Sequence, residues 1–240
     1  ICKTYVMISN GKFYESQFEE ATIELLREAH WQYAFGDDIH RKYTDPLIEE
    51  DLRNFLTVQY KDKNLTTSEM DSIVANLRNT GGQNDYYALR NAFLLYRDGY
   101  DFAYSDGRDN PFRLEYIDFE HPDHNIFRCV NQFVMEQGRE NRRPDILLFI
   151  NGIPVCIIEL KNPTKQNATI HDAHTQICTR YMRDIPALLK YCALAVISDG
   201  AKNALGTTYT PFEFFYEWKK IENEDKACLL YTSPSPRDRS

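Results

Sequence analysis

Polar positions fall away in the middle of the chain. Residues 143–163 read RPDILLFINGIPVCIIELKNP, two apolar runs joined by Asn151-Gly152, with Asp145 at the mouth of the first and Glu159-Leu160-Lys161 at the exit of the second. Asn-Gly between apolar runs is a strong signal for a tight β-hairpin, because both turn positions favour residues that tolerate positive φ. Loop length then decides which side chains share a face. A two-residue loop sets Ile150 opposite Ile153 and Asp145 opposite Ile158, leaving Glu159 on the other face. A three-residue loop with a glycine bulge sets Phe149 opposite Ile153 and Asp145 opposite Ile157, and Glu159 and Lys161 follow on the face of Asp145 at period two. Chemistry that uses both acids requires the second arrangement, or an equivalent bulge in the strand.

Upstream, the period is helical. Ser16-Gln17-Phe18-Glu19 has the form of a capping box and predicts a helix over about 16–30, with Phe18, Ala21, Thr22, Leu25 and Leu26 on one face. Asp45-Pro46 predicts an N-cap and first helical position for a helix to about residue 60. Thr66-x-x-Glu69 opens another to residue 78, and a fourth follows the Gly81-Gly82 break over about 85–97. Residues 41–98 therefore read as a helical insertion. From Phe112 strand patterns take over in FRLEYIDF and IFRCVNQFVME, then the hairpin, a helix over about 170–182, a strand over 193–198, an Asp199-Gly200 turn and an aromatic-rich helix over 211–220. This order predicts one α/β domain, a mixed sheet between helices, over residues 13–227. The last segment, 228–240 (CLLYTSPSPRDRS), resembles translated read-through of a common sequencing adapter and is left out of the fold. A gene continuing past residue 227 is the expectation.

Composition narrows the classes. With 240 residues and 42% hydrophobic residues the chain can bury a sizeable core. No apolar run approaches the roughly 18–20 residues of a membrane span, and no export signal is apparent. Six scattered cysteines without a C-x-x-C pair suit a reducing, cytoplasmic compartment. A formal charge of −8 argues against a general nucleic-acid coat, yet Arg139, Arg142, Arg143, Lys161, Lys165, Arg180 and Arg183 gather around the hairpin.

Two carboxylates converging on one face form a hard oxygen site suited to Mg²⁺. A lysine two residues from the second acid can orient or deprotonate an attacking water, or stabilise the charge on a pentavalent phosphorus. The expected chemistry is metal-assisted phosphodiester hydrolysis. Taken singly, E-x-K also fits a solvated strand end and P-D a turn.

The run PD, apolar strand, NGIP, apolar strand, ELKNP resembles the PD-(D/E)XK motif in the N-terminal domain of type I restriction enzyme R subunits, and the likeness runs from about residue 14 to 220. The resemblance implies a restriction-endonuclease-like core and a Mg²⁺-dependent DNA endonuclease, with Asp145 and Glu159 as metal ligands and Lys161 as the catalytic lysine. It also implies fusion to an ATP-driven translocase later in the same chain, modification and specificity subunits as partners, double-stranded DNA as substrate, and a bacterial or archaeal cytoplasm. YESQFEE is similar to an early family helix whose glutamate faces the site, at Glu19. Glu19 lies at the edge of the apolar arc, which also fits a capping-box glutamate. A family Q-x-x-x-Y motif is matched at Gln176, but Tyr181 follows at a spacing of five. On an ideal helix this turns Tyr181 about 140° away and puts Arg180 on the face of Gln176. Gln176, Arg180 and Tyr181 are candidates for DNA contact or support of the site; a helix-end tyrosine packed on the sheet is the alternative for Tyr181.

Other signals point away from chemistry. His171 and His174 read as exposed helix histidines, and HPDH at 121–124 as a turn rather than a metal site. There is no G-x-x-x-x-G-K-[ST] loop, so this segment has no ATP site of its own, and the ATP that the resemblance implies is used by motor domains outside it. The aromatic run at 211–220 reads as core or docking face rather than a base-stacking platform. Two competing readings remain: a non-catalytic docking or DNA-clamp module on the same fold, and a stand-alone nuclease of the same superfamily.

Overall fold

The computed structural model describes residues 15–161, 169–200 and 202–217. Lys165 and the 228–240 segment lie outside them. In chain order the elements are α1 (Glu15–Glu28), β1 (Gln32–Phe35), α2 (Glu49–Gln59), α3 (Thr67–Asn79), α4 (Asp85–Asp98), β2 (Tyr100–Phe102), β3 (Phe112–Leu114), β4 (Phe127–Asn131), β5 (Met135–Gln137), β6 (Glu140–Arg142), β7 (Ile146–Ile150), β8 (Ile153–Leu160), α5 (Ile170–Thr175), a π-turn (Gln176–Tyr181), α6 (Met182–Asp184), α7 (Pro186–Leu189), β9 (Leu194–Ser198), β10 (Asn203–Gly206) and β11 (Tyr216–Glu217). The main sheet has the order β1-β4-β7-β8-β9-β10-β11, with β1 parallel to β4, β8 parallel to β9, and the other neighbours antiparallel. A mixed sheet between helices is therefore observed as expected.

Both faces of the central strands are buried, which is why β7 and β8 read as continuous apolar runs. Ile146, Cys156, Ile158 and Leu160 pack with Ile23, Phe18 and Leu26 of α1. Leu147, Phe149, Ile157, Ala195 and Ile197 pack on the other face with Ala173, Ile177, Tyr181, Leu188 and Leu189. A third cluster lies among α2, α3 and α4, where Leu52, Leu56, Ile73 and Leu77 pack with Tyr116 and reach the sheet through Ile153. The face of α1 differs from the sequence reading: Leu25 is exposed and Ile23 is buried instead.

The capping box at Thr66 and Glu69 forms, and Asn84 caps α4. Asp45 does not cap α2. Its Oδ1 accepts the Leu47 N–H, and the helix begins only after Ile48. Of the two strand stretches before the hairpin, each is cut short. FRLEYIDF yields the three residues of β3, paired with β2 in a separate ribbon, and IFRCVNQFVME breaks at Gln132, whose φ of 55° ends β4. The helix expected over 211–220 is absent among the described residues. A short 3₁₀ turn at Phe212–Phe214 leads into β11, which adds an edge strand to β10. No helix among the described residues is long and apolar enough to cross a membrane.

Candidate active site

The turn of the β7–β8 hairpin has two residues, Asn151 and Gly152, with φ of 50° and 76°. Ile150 pairs with Ile153 and Phe149 with Pro154, so the loop by itself would separate the acids. The register then shifts, and Leu148 pairs with Cys156, Leu147 with Ile157 and Ile146 with Ile158. Val155 is the extra residue in β8. Carried one residue further, this register sets Asp145 opposite Glu159, the facing predicted for a bulged strand rather than for the longer turn. Asp145 Oδ2 also accepts the Leu160 N–H at 2.7 Å, which fixes the carboxylate against the end of β8.

Glu159 is fully buried. Its neighbours close a ring of hydrogen bonds. Lys161 Nζ donates to Glu159 Oε1 and to Gln176 Oε1, both at 2.8 Å. Gln176 Nε2 donates to the Tyr181 hydroxyl at 2.6 Å, and that hydroxyl lies 3.3 Å from Glu159 Oε2. The ring exists because residues 176–181 form a π-turn, in which the Met182 N–H reaches back five residues to Ile177 O. Bonding from i to i+5 brings residues five apart to one side. The spacing that separates Gln176 from Tyr181 on an ideal helix therefore unites them here, and Tyr181 is more than a packed helix-end tyrosine. Arg180 takes the opposite role to that expected from the ideal helix: it is exposed and off the ring.

Burial pushes the Glu159 carboxyl up to about 8, with the Asp145 charge adding to the rise and the Lys161 ammonium opposing it. Burial likewise raises the Tyr181 phenol, with the Glu159 charge adding. Tyr181 is therefore a neutral O–H donor at neutral pH. Tyr181→Phe deletes one donor and one acceptor from this ring, and at about 1 kcal/mol per net hydrogen bond the expected cost to stability is about 1–2 kcal/mol without loss of fold. Urea unfolding of the two forms measures it; an unchanged midpoint would contradict the ring.

Glu19 is placed differently. It accepts from Asn131 Nδ2 at 2.7 Å and Gln132 Nε2 at 3.2 Å, from the end of β4. Ser16 lies inside α1 rather than capping it, so the capping-box reading of Glu19 does not hold. Among the described residues, however, Glu19 does not join Asp145 and Glu159 in a set of three ligand atoms within 4.8 Å of one another. Its link to the site runs through Gln132 Oε1, which accepts from Arg143 Nη1 at 3.3 Å, two residues before Asp145. The sequence singles out Arg143 among the basic residues but not Asn131 and Gln132, because nothing local marks a polar strand end with a non-glycine positive φ.

The basic residues divide. Arg142 and Arg183 are paired with Asp184 at 2.6 Å. Arg139, Arg143 and Arg180 are exposed and have no ion pair among the described residues. A cavity of about 550 Å³ lies elsewhere, between the start of α2, the end of α3 and α7, lined by Arg41, Asp45, Glu49, Arg78 and Lys190. Its Arg78 is neutralised by Asp45 and Glu49.

The sequence family described as the type I restriction enzyme R protein N terminus matches residues 12–214. The chain belongs to this family. Among curated relatives, the type I restriction enzyme HindI endonuclease subunit of Haemophilus influenzae is 29% identical over 227 residues, covering 90% of this chain and 21% of the relative. The MjaIXP subunit of Methanocaldococcus jannaschii, named a putative type I restriction enzyme endonuclease subunit, is 30% identical over 220 residues, covering 88% and 21%. The chain thus spans about a fifth of the length of these relatives.

Proposed function

We propose that this chain is the nuclease region of a type I restriction R subunit and that it cuts double-stranded DNA by Mg²⁺-dependent hydrolysis at a PD-(D/E)XK site. The observation that carries the reading is the facing of Asp145 and Glu159 beside a lysine held by Gln176. The domain spans 13–227, with 41–98 as its helical insertion.

The donor set fits the metal. Two facing carboxylates, one buried and raised to about 8 partly by the charge of the other, make a site that a divalent cation relieves. Oxygen ligands alone suit Mg²⁺. When bound there, the ion supplies Lewis-acid polarisation of a phosphate oxygen and lowers the pKa of a water. The chain's own residues do the rest. Lys161, with its ammonium fixed between Glu159 and Gln176, orients the attacking water and faces the negative charge that grows on phosphorus. Tyr181 and Gln176 hold the lysine and the buried acid in register. Glu19, through Gln132, braces Arg143. Arg143 and Arg180 meet DNA phosphates.

The partners follow from the family: the remainder of the R chain as an ATP-driven translocase, and modification and specificity subunits that recognise the target, in a bacterial or archaeal cytoplasm. Lys161→Met tests the assignment. In the full-length subunit assembled with its partners, DNA cleavage is expected to fall by about 10²-fold or more, the loss typical of one preorganised electrostatic group, while Mn²⁺ binding persists. Retained cleavage would favour a docking module over a nuclease.

A further inference from the structure

The segment between β3 and β4 forms the expected turn, a short 3₁₀ turn at Pro122–His124. It also does something a turn does not require. Asp118, His121 and His124 each turn a ligand atom inward, and the three atoms lie within 4.8 Å of one another. Asp118 is buried, and its Oδ1 accepts the backbone N–H groups of Glu120 at 3.0 Å and His121 at 2.8 Å. The carboxylate is thereby fixed with Oδ2 toward the imidazoles, 3.5 Å from His121 Nδ1 and 3.1 Å from His124 Nδ1. The two rings stack at 4.9 Å and 19°.

A hydrogen bond accounts for His124, whose Nδ1 lies 3.1 Å from Asp118 Oδ2, but not for the approach of His121 to the same oxygen. Gln59 Nε2 already donates to Asp118 Oδ2 at 3.1 Å, which occupies one of its two lone pairs. His124 Nδ1 takes the other, and His121 Nδ1 stands 3.5 Å from the same oxygen with no lone pair left for it. A tetrahedral ion with bonds of about 2.0–2.1 Å instead spaces its ligand atoms about 3.3 Å apart, between the two observed separations. Fixing of the ligand carboxylate by backbone N–H groups is the usual outer-shell support of a metal site.

We propose that Asp118, His121 and His124 form a zinc-class transition-metal site that clamps the 118–125 loop, with the fourth position open to water. Two imidazoles and one carboxylate suit Zn²⁺ and the later first-row ions rather than Mg²⁺. The site is separate from the nuclease acids. Asn125 Oδ1 accepts from Asp118 N and from Asn151 Nδ2, which anchors the loop to the turn of the β7–β8 hairpin. Asp145 and Glu159 lie at the opposite end, beyond the length of β7, about 17 Å at the usual strand rise.

The test is a titration of the metal-free chain with Zn²⁺, and with Co²⁺ for its visible absorption. In an Asp145→Asn/Glu159→Gln chain, one equivalent is expected to bind and to raise the melting temperature. Adding His121→Asn and His124→Asn, both on exposed side chains, is expected to abolish the binding and the shift while leaving the circular dichroism spectrum unchanged. Should the acid variants fail to fold, the wild-type background serves, and the histidine substitutions are expected to remove one equivalent. Absence of binding, or binding that survives the histidine substitutions, would overturn the proposal, and neither result bears on the nuclease acids.

Discussion

Asp145→Asn in the full-length R subunit, assembled with its partner subunits, is expected to lower DNA cleavage by at least about 10²-fold while DNA-stimulated ATP hydrolysis continues. The magnitude is that of losing one preorganised charged group at a phosphoryl centre. The substitution separates charge from structure. The replacement amide keeps an oxygen to accept the Leu160 N–H now held by Asp145 Oδ2, so the β7–β8 end stays closed. What goes is one of two negative charges on the metal side, and with it one of the two causes that raise the Glu159 carboxyl. The Glu159 pKa in the variant therefore moves down toward the ordinary carboxylate range. Cleavage within threefold of wild type would show that Asp145 is only a turn residue.

The second large effect is on pH. In the metal-free chain the Glu159 carboxyl, with an ordinary value of 4.5, is raised to about 8, first by burial and then by Asp145. A cation entering below pH 8 must displace that proton, so Mn²⁺ affinity is expected to climb about tenfold per pH unit between pH 6 and 8 and to level off above. Stability without metal runs the other way. A carboxyl raised in the folded state binds more protons folded than unfolded, so its contribution is complete below about pH 4.5 and is lost as pH rises through about 8. Glu159→Gln is expected to flatten both trends. Calorimetric affinities and melting temperatures at half-unit steps, with chelator in the stability series, measure them; an affinity independent of pH below 8 would contradict a protonated Glu159.

The legible part of this site was the part encoded at period two. Asn151-Gly152 and the two apolar runs define the hairpin, and Asp145, Glu159 and Lys161 fall at its open end whichever device brings them to one face. Turn chemistry alone could not tell a longer loop from a bulge, because both restore the facing of the acids; the observed two-residue turn with a bulge at Val155 is chosen by packing on both sides of β8. The π-turn was hidden for a related reason. A helix reading assumes 3.6 residues per turn, and only the polar ring around Glu159 reveals that one turn is wider. Short strands such as β1 and β2 carry too few residues to show a period. In the stretch 211–220 aromatic side chains suggested a helix, yet the segment supplies an edge strand, where aromatic residues are equally at home. Glu19 was half legible: its place at the edge of the apolar arc could be read from the helical period, but its partners Asn131 and Gln132 come from the end of a strand more than a hundred residues away.

Titration of the chain with Mn²⁺ by calorimetry, with and without a duplex oligonucleotide, tests the central claim most directly. Mn²⁺ prefers the oxygen pair and binds an imidazole site weakly, so it reports on Asp145 and Glu159 rather than on the 118–125 loop. The expected result is one equivalent bound by the wild type at pH 8 and none by either Asp145→Asn or Glu159→Gln, each with an unchanged circular dichroism spectrum. Binding absent under both conditions, or unaltered by the two substitutions, would contradict the assignment of these acids to one metal site.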